Sequence, residues 1–182
     1  LAKALVKGGI TTLEITLRTE AALESITRIK AEVPEATVGA GTIINIETLN
    51  KAIAAGAEFI VSPGTTDAMI DAAIATGVPL LPGVANPSEA MRLLEKGITE
   101  MKFFPAEAAG GIPMLKSIGA PIPQITFCPT GGVNQKNVKD YYNLANVACV
   151  GGSWMCAANL VEAENWDEIT RLSAEAIEIA TA

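Results

Sequence analysis

The sequence predicts an α/β fold, a (β/α)8 barrel of the TIM-barrel type, from two observations. First, short apolar strands alternate with helical segments at intervals of 21 to 25 residues, which favours a parallel sheet; they begin near Thr12, Thr37, Glu58, Pro79, Glu100, Ile125 and Val147. Second, several strands end in polar or glycine-rich residues, and barrel active sites gather at that C-terminal side. An open doubly wound sheet is the alternative architecture.

The chain holds seven of these strands, whereas a (β/α)8 barrel needs eight. Its first residues, LAKALVKGG, resemble the end of an amphipathic helix that stops at Gly8 and Gly9. An open seven-stranded sheet would leave unpaired edges. We therefore expect residues 1–182 to form a single barrel domain that lacks its first strand and the start of its first helix.

Several helix starts are marked by residues that can cap free backbone N–H groups. Asn86 and Asn165 each precede an apolar helical pattern with an acidic residue in its first turn. Asn134 is predicted to cap a helix that reaches Tyr141, and Thr19 is predicted to open an earlier helix. No linker or low-complexity tract interrupts the repeat of strands and helices.

Composition narrows the classes of partner. The 182 residues are 49% hydrophobic and 18% charged, typical of one soluble domain, and no apolar run approaches the roughly 20 residues of a membrane span. The net charge of −7 argues against a nucleic-acid partner, since such proteins present a basic face. Three cysteines without CxxC spacing favour reduced thiols in the cytoplasm. Two of them are expected to be small buried residues of apolar strands, Cys128 and Cys149.

The chain contains no histidine, which removes the commonest general base and the commonest metal ligand. Thiols and carboxylates are scattered rather than clustered, so no metal site and no cofactor are expected. Acid–base chemistry must therefore fall to a carboxylate, a lysine, a tyrosine, a thiol or water.

Lys102 lies within MKFFPAE, a short apolar strand predicted to end at Pro105. Strand alternation places Lys102 and Phe104 on one face of the strand, and Met101 and Phe103 on the other. Lysine is almost never buried unless it is paired or used. Burial lowers the pKa of an ammonium, and a neutral amine attacks carbonyl groups. The plainer alternative is a structural lysine that extends its charged end to water.

An earlier strand, LEITLR, alternates so that Glu14, Thr16 and Arg18 face the interior of the barrel. Polar groups are costly there unless they are paired. Glu14 is the best candidate for a general acid and base, and Arg18 suits a carboxylate or phosphate. A structural pair between a glutamate and an arginine is the alternative interpretation.

Glycine-rich segments end several of the strands. VGAGT, which ends at Thr42, and the SPG that contains Pro63 are weak signals, because glycines at strand ends often serve only as turns. FCPTGG and VGGSW follow the last two strands, where barrels commonly bind phosphate through backbone N–H groups and a short extra helix. That helix is predicted near residues 153–158.

Together these residues favour a metal-independent aldolase that acts on a phosphorylated keto acid. Lys102 would form a Schiff base, Glu14 would transfer protons, Arg18 would bind a carboxylate and the glycine loops would bind phosphate. One alternative is another phosphate-binding barrel enzyme, an isomerase or synthase that uses Glu14 without an imine. A second alternative is a non-catalytic barrel, truncated or engineered as an assembly scaffold.

The sequence also resembles a known family, the bacterial 2-keto-3-deoxy-6-phosphogluconate aldolases, which often cleave 4-hydroxy-2-oxoglutarate as well. The resemblance extends over nearly the whole chain and rests on six motifs in family order, LEITLRTEAAL, VGAGTI, VSPG, KFFPAE, FCPTGG and GGSW. It implies a (β/α)8 barrel that assembles as a homotrimer in the cytoplasm. It also implies cleavage to pyruvate and glyceraldehyde 3-phosphate in the Entner–Doudoroff pathway.

The resemblance assigns roles by motif position. It implies that Lys102 is the Schiff-base lysine and Glu14 the general acid and base, while Arg18 and Thr42 bind pyruvate. The remaining substrate-binding residues are Pro63, which would line the pocket, Phe104, which would pack over the pyruvate methyl group, Thr130, which would help set the stereochemistry, and the phosphate-binding Gly131, Gly132, Gly152 and Ser153. It implies no cofactor and no metal, and a small-molecule keto acid as the partner.

Overall fold

Strands and helices alternate along the chain in the computed structural model, which describes residues 1–181. The strands are β1 (Thr12–Thr16), β2 (Thr37–Gly41), β3 (Ile60–Val61), β4 (Leu80–Leu81), β5 (Gly83–Val84), β6 (Glu100–Phe103) and β7 (Thr126–Pro129). The helices are α1 (Ala2–Lys7), α2 (Ala22–Glu32), α3 (Ile46–Ala54), α4 (Asp67–Thr76), α5 (Pro87–Glu95), α6 (Gly111–Gly119), α7 (Val138–Tyr142), α8 (Ala158–Glu162) and α9 (Trp166–Thr181), with a 3-10 helix at Trp154–Cys156.

The strands pair in parallel in two sheets, in the orders β1-β2-β3-β4 and β5-β6-β7. The fold is therefore α/β with parallel sheets and resembles a TIM barrel, while closure of the barrel stays a prediction. The strand expected from Pro79 is divided at Pro82 into β4 and β5. Proline lacks the N–H that would continue the ladder. Its carbonyl still accepts a hydrogen bond from Lys102 N at 2.8 Å, so β6 is held at this point.

The strand predicted near Val147 is wrong in its extent. Only two isolated parallel bridges form there, between Phe127 and Val147 and between Thr130 and Gly151. Between the two bridges the chain advances three residues along β7, from Phe127 to Thr130, but four residues along the later segment, from Val147 to Gly151. The later segment therefore carries one extra residue. An extra residue interrupts the regular ladder, as in a β-bulge. The segment nevertheless lies beside β7 as the fold requires.

The predicted helix starts at Asn86 and Asn165 are confirmed. The Asn86 side chain accepts a hydrogen bond from Glu89 N at 3.1 Å, and Asn165 accepts one from Glu168 N at 3.3 Å. Each bond satisfies a backbone donor that the helix itself leaves free. The helix end predicted at Gly8 is also confirmed, since α1 stops at Lys7.

Two other predicted helix starts are wrong. The segment at Thr19 forms a turn, in which Ala22 N donates to the Thr19 carbonyl at 3.2 Å, and α2 begins only at Ala22. The Asn134 side chain accepts a hydrogen bond from Lys136 N at 2.9 Å and so closes a local turn. Because asparagine stabilises turns as readily as helix starts, α7 begins later, at Val138.

The side-chain alternation of β6 divides its residues between two environments. Met101 and Phe103 are fully buried against the helices, and the Phe103 ring packs edge to face on Phe127 with 6.2 Å between the ring centroids. A second apolar cluster surrounds Val38 of β2. Because β6 is fixed by this packing on one face, Lys102 must point to the other.

Among the described residues, no helix is both long and apolar enough to cross a lipid bilayer.

Replacing Asn86 with alanine tests the cap on α5. We expect Asn86→Ala to lower the free energy of unfolding by about 1 kcal/mol, because Glu89 N loses its acceptor. Asn86→Ser keeps a side-chain oxygen and serves as the matched control, which should retain most of the stability. Urea denaturation measures both variants, and equal stability of the two would contradict a capping role.

Candidate active site

Lys102 is held inside the fold by the strand that carries it. Its side chain is only 8% exposed, and the neighbouring residues Met101 and Phe103 are anchored on the opposite face of β6. A lysine that extended its charged end to water would show a much larger exposed fraction. The structure therefore contradicts the plainer interpretation and leaves a buried amine at the carboxyl end of a parallel strand.

Glu14 of β1 is the ionic partner of this lysine. Its Oε1 lies 3.7 Å from Lys102 Nζ, while 28% of the Glu14 side chain remains exposed. Gly41 makes room for the carboxylate, because a β-carbon at that position would overlap Glu14 Oε1. The carboxylate thus contacts the amine on one side and solvent on the other, which suits proton transfer.

A structural pair between Glu14 and Arg18 is not formed. Within residues 1–181, Arg18 takes part in no salt bridge and in no side-chain hydrogen bond, and its side chain is exposed. The segment after β1 turns at Arg18, whose N–H donates to the Thr16 carbonyl at 2.8 Å. The guanidinium is therefore available to an anionic ligand at this strand end.

Thr42 follows β2 in an uncommon backbone conformation. Its φ of 61° lies in the left-handed region, which is costly for a β-branched residue. Strain of this kind is retained most often at functional sites. The exits of β1 and β2 are adjacent, because Leu17 N donates to the Gly41 carbonyl at 2.8 Å. Arg18 and Thr42 therefore lie at neighbouring strand ends.

Phe104 and Pro63 line a cavity of about 370 Å³ between the exits of β3, β5 and β6. The Phe104 ring centroid lies 5.0 Å from Lys102 Nζ, so both residues lie on the face that strand alternation predicted. The backbone carbonyl of Pro63 approaches Gly83 so closely that a β-carbon there would overlap it. The cavity also contains Glu89 and Arg92, which the sequence did not single out.

Gly131 and Gly132 form a tight turn directly after β7. Both have positive φ, 99° and 84°, a conformation that side chains disfavour. Among residues 1–181, no acceptor is found for the backbone N–H groups of Gly131, Gly132 and Val133. Successive free N–H groups of this kind form an anion-binding nest. Thr130 leads into the turn, and its N–H donates to the Phe103 carbonyl at 2.9 Å.

A second loop with free donors lies beside the first. Gly151 pairs with Thr130, and the next two residues, Gly152 and Ser153, have backbone N–H groups without an acceptor in the described chain. The predicted short helix is present as the 3-10 turn Trp154–Cys156, with Ser153 at its N-terminus, and it is separate from α8. Two sets of free backbone N–H groups therefore lie at the ends of adjacent segments.

The prediction that Cys149 is a buried strand residue is wrong, because it is exposed and lies outside the regular strands. The extra residue of this segment explains the difference. The neighbouring Cys128 thiol of β7 lowers the pKa of Cys149 to about 7. Interaction with Cys149, followed by burial, raises the pKa of Cys128 well above its usual range. All three cysteines are free thiols.

Fold and site together define a class of protein, the barrel-like α/β proteins whose site is built around a buried lysine amine. Parallel strands bring a buried amine, a carboxylate and two sets of free peptide donors to one end of a barrel-like α/β fold. Such a site can condense its amine with a carbonyl group, move a proton and hold an anion. Among residues 1–181, no three side chains of metal-ligating type cluster together.

Comparisons with known proteins identify the family within this class. The family model described as KDPG and KHG aldolase matches residues 1–172. The 2-dehydro-3-deoxy-phosphogluconate aldolase of Pseudoalteromonas atlantica is 51% identical over 177 residues, which cover 97% of this chain and 82% of the relative. The KHG/KDPG aldolase of Escherichia coli is 49% identical and covers 98% of this chain and 84% of the relative. The chain therefore belongs to the KDPG and KHG aldolase family.

A solved structure agrees with this assignment. The KDPG aldolase of Legionella pneumophila, with pyruvate captured as a covalent carbinolamine intermediate, superposes with a TM-score of 0.94. It is 47% identical in sequence, and the match covers 96% of this chain and 85% of that one. The resemblance inferred from the six sequence motifs is thereby confirmed.

Thiol labelling against pH tests the effect of Cys128 on Cys149. We expect the alkylation rate of Cys149 to rise with a midpoint near pH 7, because only the thiolate reacts. In Cys128→Ala the neighbouring thiol is absent, so the midpoint should move to 9.0 or above. Cys156→Ala, the control, should leave it unchanged. A Cys149 midpoint that Cys128→Ala does not move would contradict this effect.

Proposed function

We propose that this chain is a metal-independent class I aldolase, a carbon–carbon lyase of the Entner–Doudoroff pathway. It cleaves 2-dehydro-3-deoxy-6-phosphogluconate to pyruvate and D-glyceraldehyde 3-phosphate. The observation that carries the proposal is the buried Lys102 Nζ, 3.7 Å from the Glu14 carboxylate at the end of a parallel strand. The relatives' names support the substrate, and the covalent pyruvate adduct of the Legionella pneumophila enzyme supports the intermediate.

The chemistry begins when the Lys102 amine attacks the C2 ketone of the substrate. Loss of water gives an iminium, which withdraws electrons from the neighbouring carbon chain. Glu14 removes the proton of the C4 hydroxyl, the C3–C4 bond breaks, and its electron pair forms an enamine. The aldehyde leaves at this stage. Protonation of C3 and hydrolysis of the imine then release pyruvate and restore the lysine.

Glu14 is suited to both proton transfers. At 3.7 Å from the amine its carboxylate is close enough to act directly or through one water on atoms attached to Lys102. Its partly exposed side chain can exchange the proton with solvent between the two steps. We assign Glu14 as the general acid and base on this ground.

The keto-acid end of the substrate is assigned to the exits of β1, β2, β3 and β6. Arg18 supplies a guanidinium with free donors, and the strained Thr42 lies at the neighbouring strand exit. Phe104 lies beside the amine and would pack over the pyruvate methyl group, while Pro63 would line the same cavity. These positions support the binding roles that the resemblance implies.

The phosphate is assigned to the two loops of free peptide donors. Gly131 and Gly132 supply one set, and Gly152 and Ser153 supply the other. The first loop lies next to the lysine strand, since a β-carbon on Gly131 would lie 3.4 Å from the Phe104 ring. Thr130 joins β7 to this loop, is hydrogen-bonded to the lysine strand through Phe103, and would help set the stereochemistry of the cleaved bond.

Cleavage of 4-hydroxy-2-oxoglutarate to pyruvate and glyoxylate is a second activity of the same site. The Escherichia coli relative, named KHG/KDPG aldolase, supports it. Both substrates share the keto-acid end and the C4 hydroxyl, so the lysine and glutamate chemistry is the same for each.

The remaining features of the proposal concern the whole molecule. We propose one closed (β/α)8 barrel that functions as a cytoplasmic homotrimer. The three free thiols are consistent with a reducing compartment. The exposed apolar residues Ile44 and Ile46 after β2 would be covered by association of this kind.

Replacing Lys102 with methionine tests the proposed nucleophile. We expect Lys102→Met to abolish pyruvate release while the protein remains folded, because the change removes the amine and keeps most of the volume. A lactate-dehydrogenase-coupled assay measures turnover. Lys116→Met, at an exposed position on α6, is the matched control and should retain full activity. Comparable turnover by the two variants would refute the assignment.

Replacing Glu14 with glutamine tests the proposed proton transfer. Turnover by Glu14→Gln should fall about 10²- to 10⁴-fold, because the amide keeps the shape and cannot exchange the proton. Trapping of pyruvate on Lys102 should remain measurable, since the amine is intact. Glu24→Gln on the exposed face of α2 is the control. An unchanged turnover rate would reduce Glu14 to a structural ion-pair partner.

A further inference from the structure

Two asparagine side chains hydrogen-bond the backbone of the Gly131–Gly132 loop, which is assigned to the phosphate. Asn134 Nδ2 donates to the Gly132 carbonyl at 2.9 Å, and Asn137 Nδ2 donates to the same oxygen at 3.1 Å. The Asn134 backbone is also bonded to the Asn137 side chain, because Asn134 N donates to Asn137 Oδ1 at 2.8 Å. Two donors therefore fix the direction of the Gly132 carbonyl.

The preceding carbonyl, that of Gly131, is held by Glu107. Glu107 N donates to the Gly131 carbonyl at 3.1 Å, and the Glu107 side chain packs so close to Gly132 that a β-carbon there would overlap it. The Glu107 carboxylate accepts a hydrogen bond from the buried Tyr141 hydroxyl. Burial, followed by this hydrogen bond, raises the pKa of Tyr141, so the donor keeps its proton.

The direction of these carbonyls decides the direction of the free donors. In a trans peptide the C=O and the N–H of one unit point in opposite directions. Holding the Gly131 carbonyl toward Glu107 therefore turns the Gly132 N–H away from Glu107. Holding the Gly132 carbonyl toward the two asparagines likewise turns the Val133 N–H away from them. Both N–H groups lack an acceptor within residues 1–181.

We infer that Asn134 and Asn137 are positioning residues that aim the peptide donors of the Gly131–Gly132 loop at the substrate phosphate. The inference rests on the proposed function and deepens it, because it makes this pair the determinant of preference for a phosphorylated substrate. Neither side chain hydrogen-bonds Lys102 or Glu14 in the described chain, so imine formation and proton transfer do not depend on them.

Changing both asparagines to aspartate separates this role from a purely structural one. Aspartate keeps the Oδ1 atom that closes the local turns with Asn134 N and Lys136 N, and it replaces the two donors to the Gly132 carbonyl with charged oxygens. Without the donors the Gly132 peptide is free to rotate and the Val133 N–H loses its fixed direction. Gln135→Glu is the control for added negative charge, because it leaves both amide donors in place and gives up only the hydrogen bond from Gln135 to Glu175.

The measurement is steady-state cleavage of 2-dehydro-3-deoxy-6-phosphogluconate and of the same sugar acid without its phosphate. For Asn134→Asp/Asn137→Asp we expect KM for the phosphorylated substrate to rise about tenfold or more, as loss of one or two well-directed hydrogen bonds implies. Turnover at saturation should change about twofold at most, and kcat/KM for the unphosphorylated substrate should stay within the same margin. Gln135→Glu should match the natural protein on both substrates.

Three results would overturn the inference. They are an equal loss on both substrates, an unchanged KM for the phosphorylated one, and an equal effect of Gln135→Glu. If the double variant does not fold, Asn137→Asp alone serves the same test, with a smaller rise in KM expected and the same contrary results. Failure of the proposed function is distinguished beforehand, because the natural protein would then release no pyruvate from either substrate.

Discussion

The ion pair between Lys102 and Glu14 connects strands that lie far apart in the sequence and in different sheets. A buried amine needs a nearby partner, and the pair forms only if β1 and β6 face one another across the interior. The packing of Met101 and Phe103 on the outer face of β6 supplies this orientation. The rest of the fold thus positions one amine and one carboxylate, and the proposed chemistry depends on their separation.

Backbone conformation contributes as much to the site as side chains do. Gly41 leaves space for the Glu14 carboxylate, and Gly131 and Gly132 adopt positive φ values that place peptide donors at the strand ends. Because all strands are parallel, these exits lie at the same end as Lys102. The proposed proton transfer and the proposed phosphate binding therefore depend on different loops, and the asparagines that hydrogen-bond Gly132 belong to the second of these.

Local patterns in the sequence predicted the features that depend on local geometry. The alternation around Lys102 and the cap at Asn86 are confirmed, because each depends on residues a few positions apart. The partner of Glu14 is a lysine from another sheet, and local alternation carries no signal for that pairing, which only the chemistry of the two residues and the family resemblance suggested. The extra residue before Gly151 prevents a regular strand although its apolar pattern favours one. Asn134 was predicted only as a helix cap, because asparagine stabilises turns as readily as helix starts and its type alone does not distinguish the two.

Trapping the imine tests the central claim most directly, because it reports the amine itself rather than its consequences. The natural protein would be incubated with pyruvate and borohydride, digested, and its peptides weighed by mass spectrometry. We expect one reduced pyruvate on the peptide that contains Lys102 and none on peptides with exposed lysines such as Lys51 or Lys116. An unmodified Lys102 peptide, or adducts spread over the exposed lysines, would contradict the claim that this buried amine is the nucleophile.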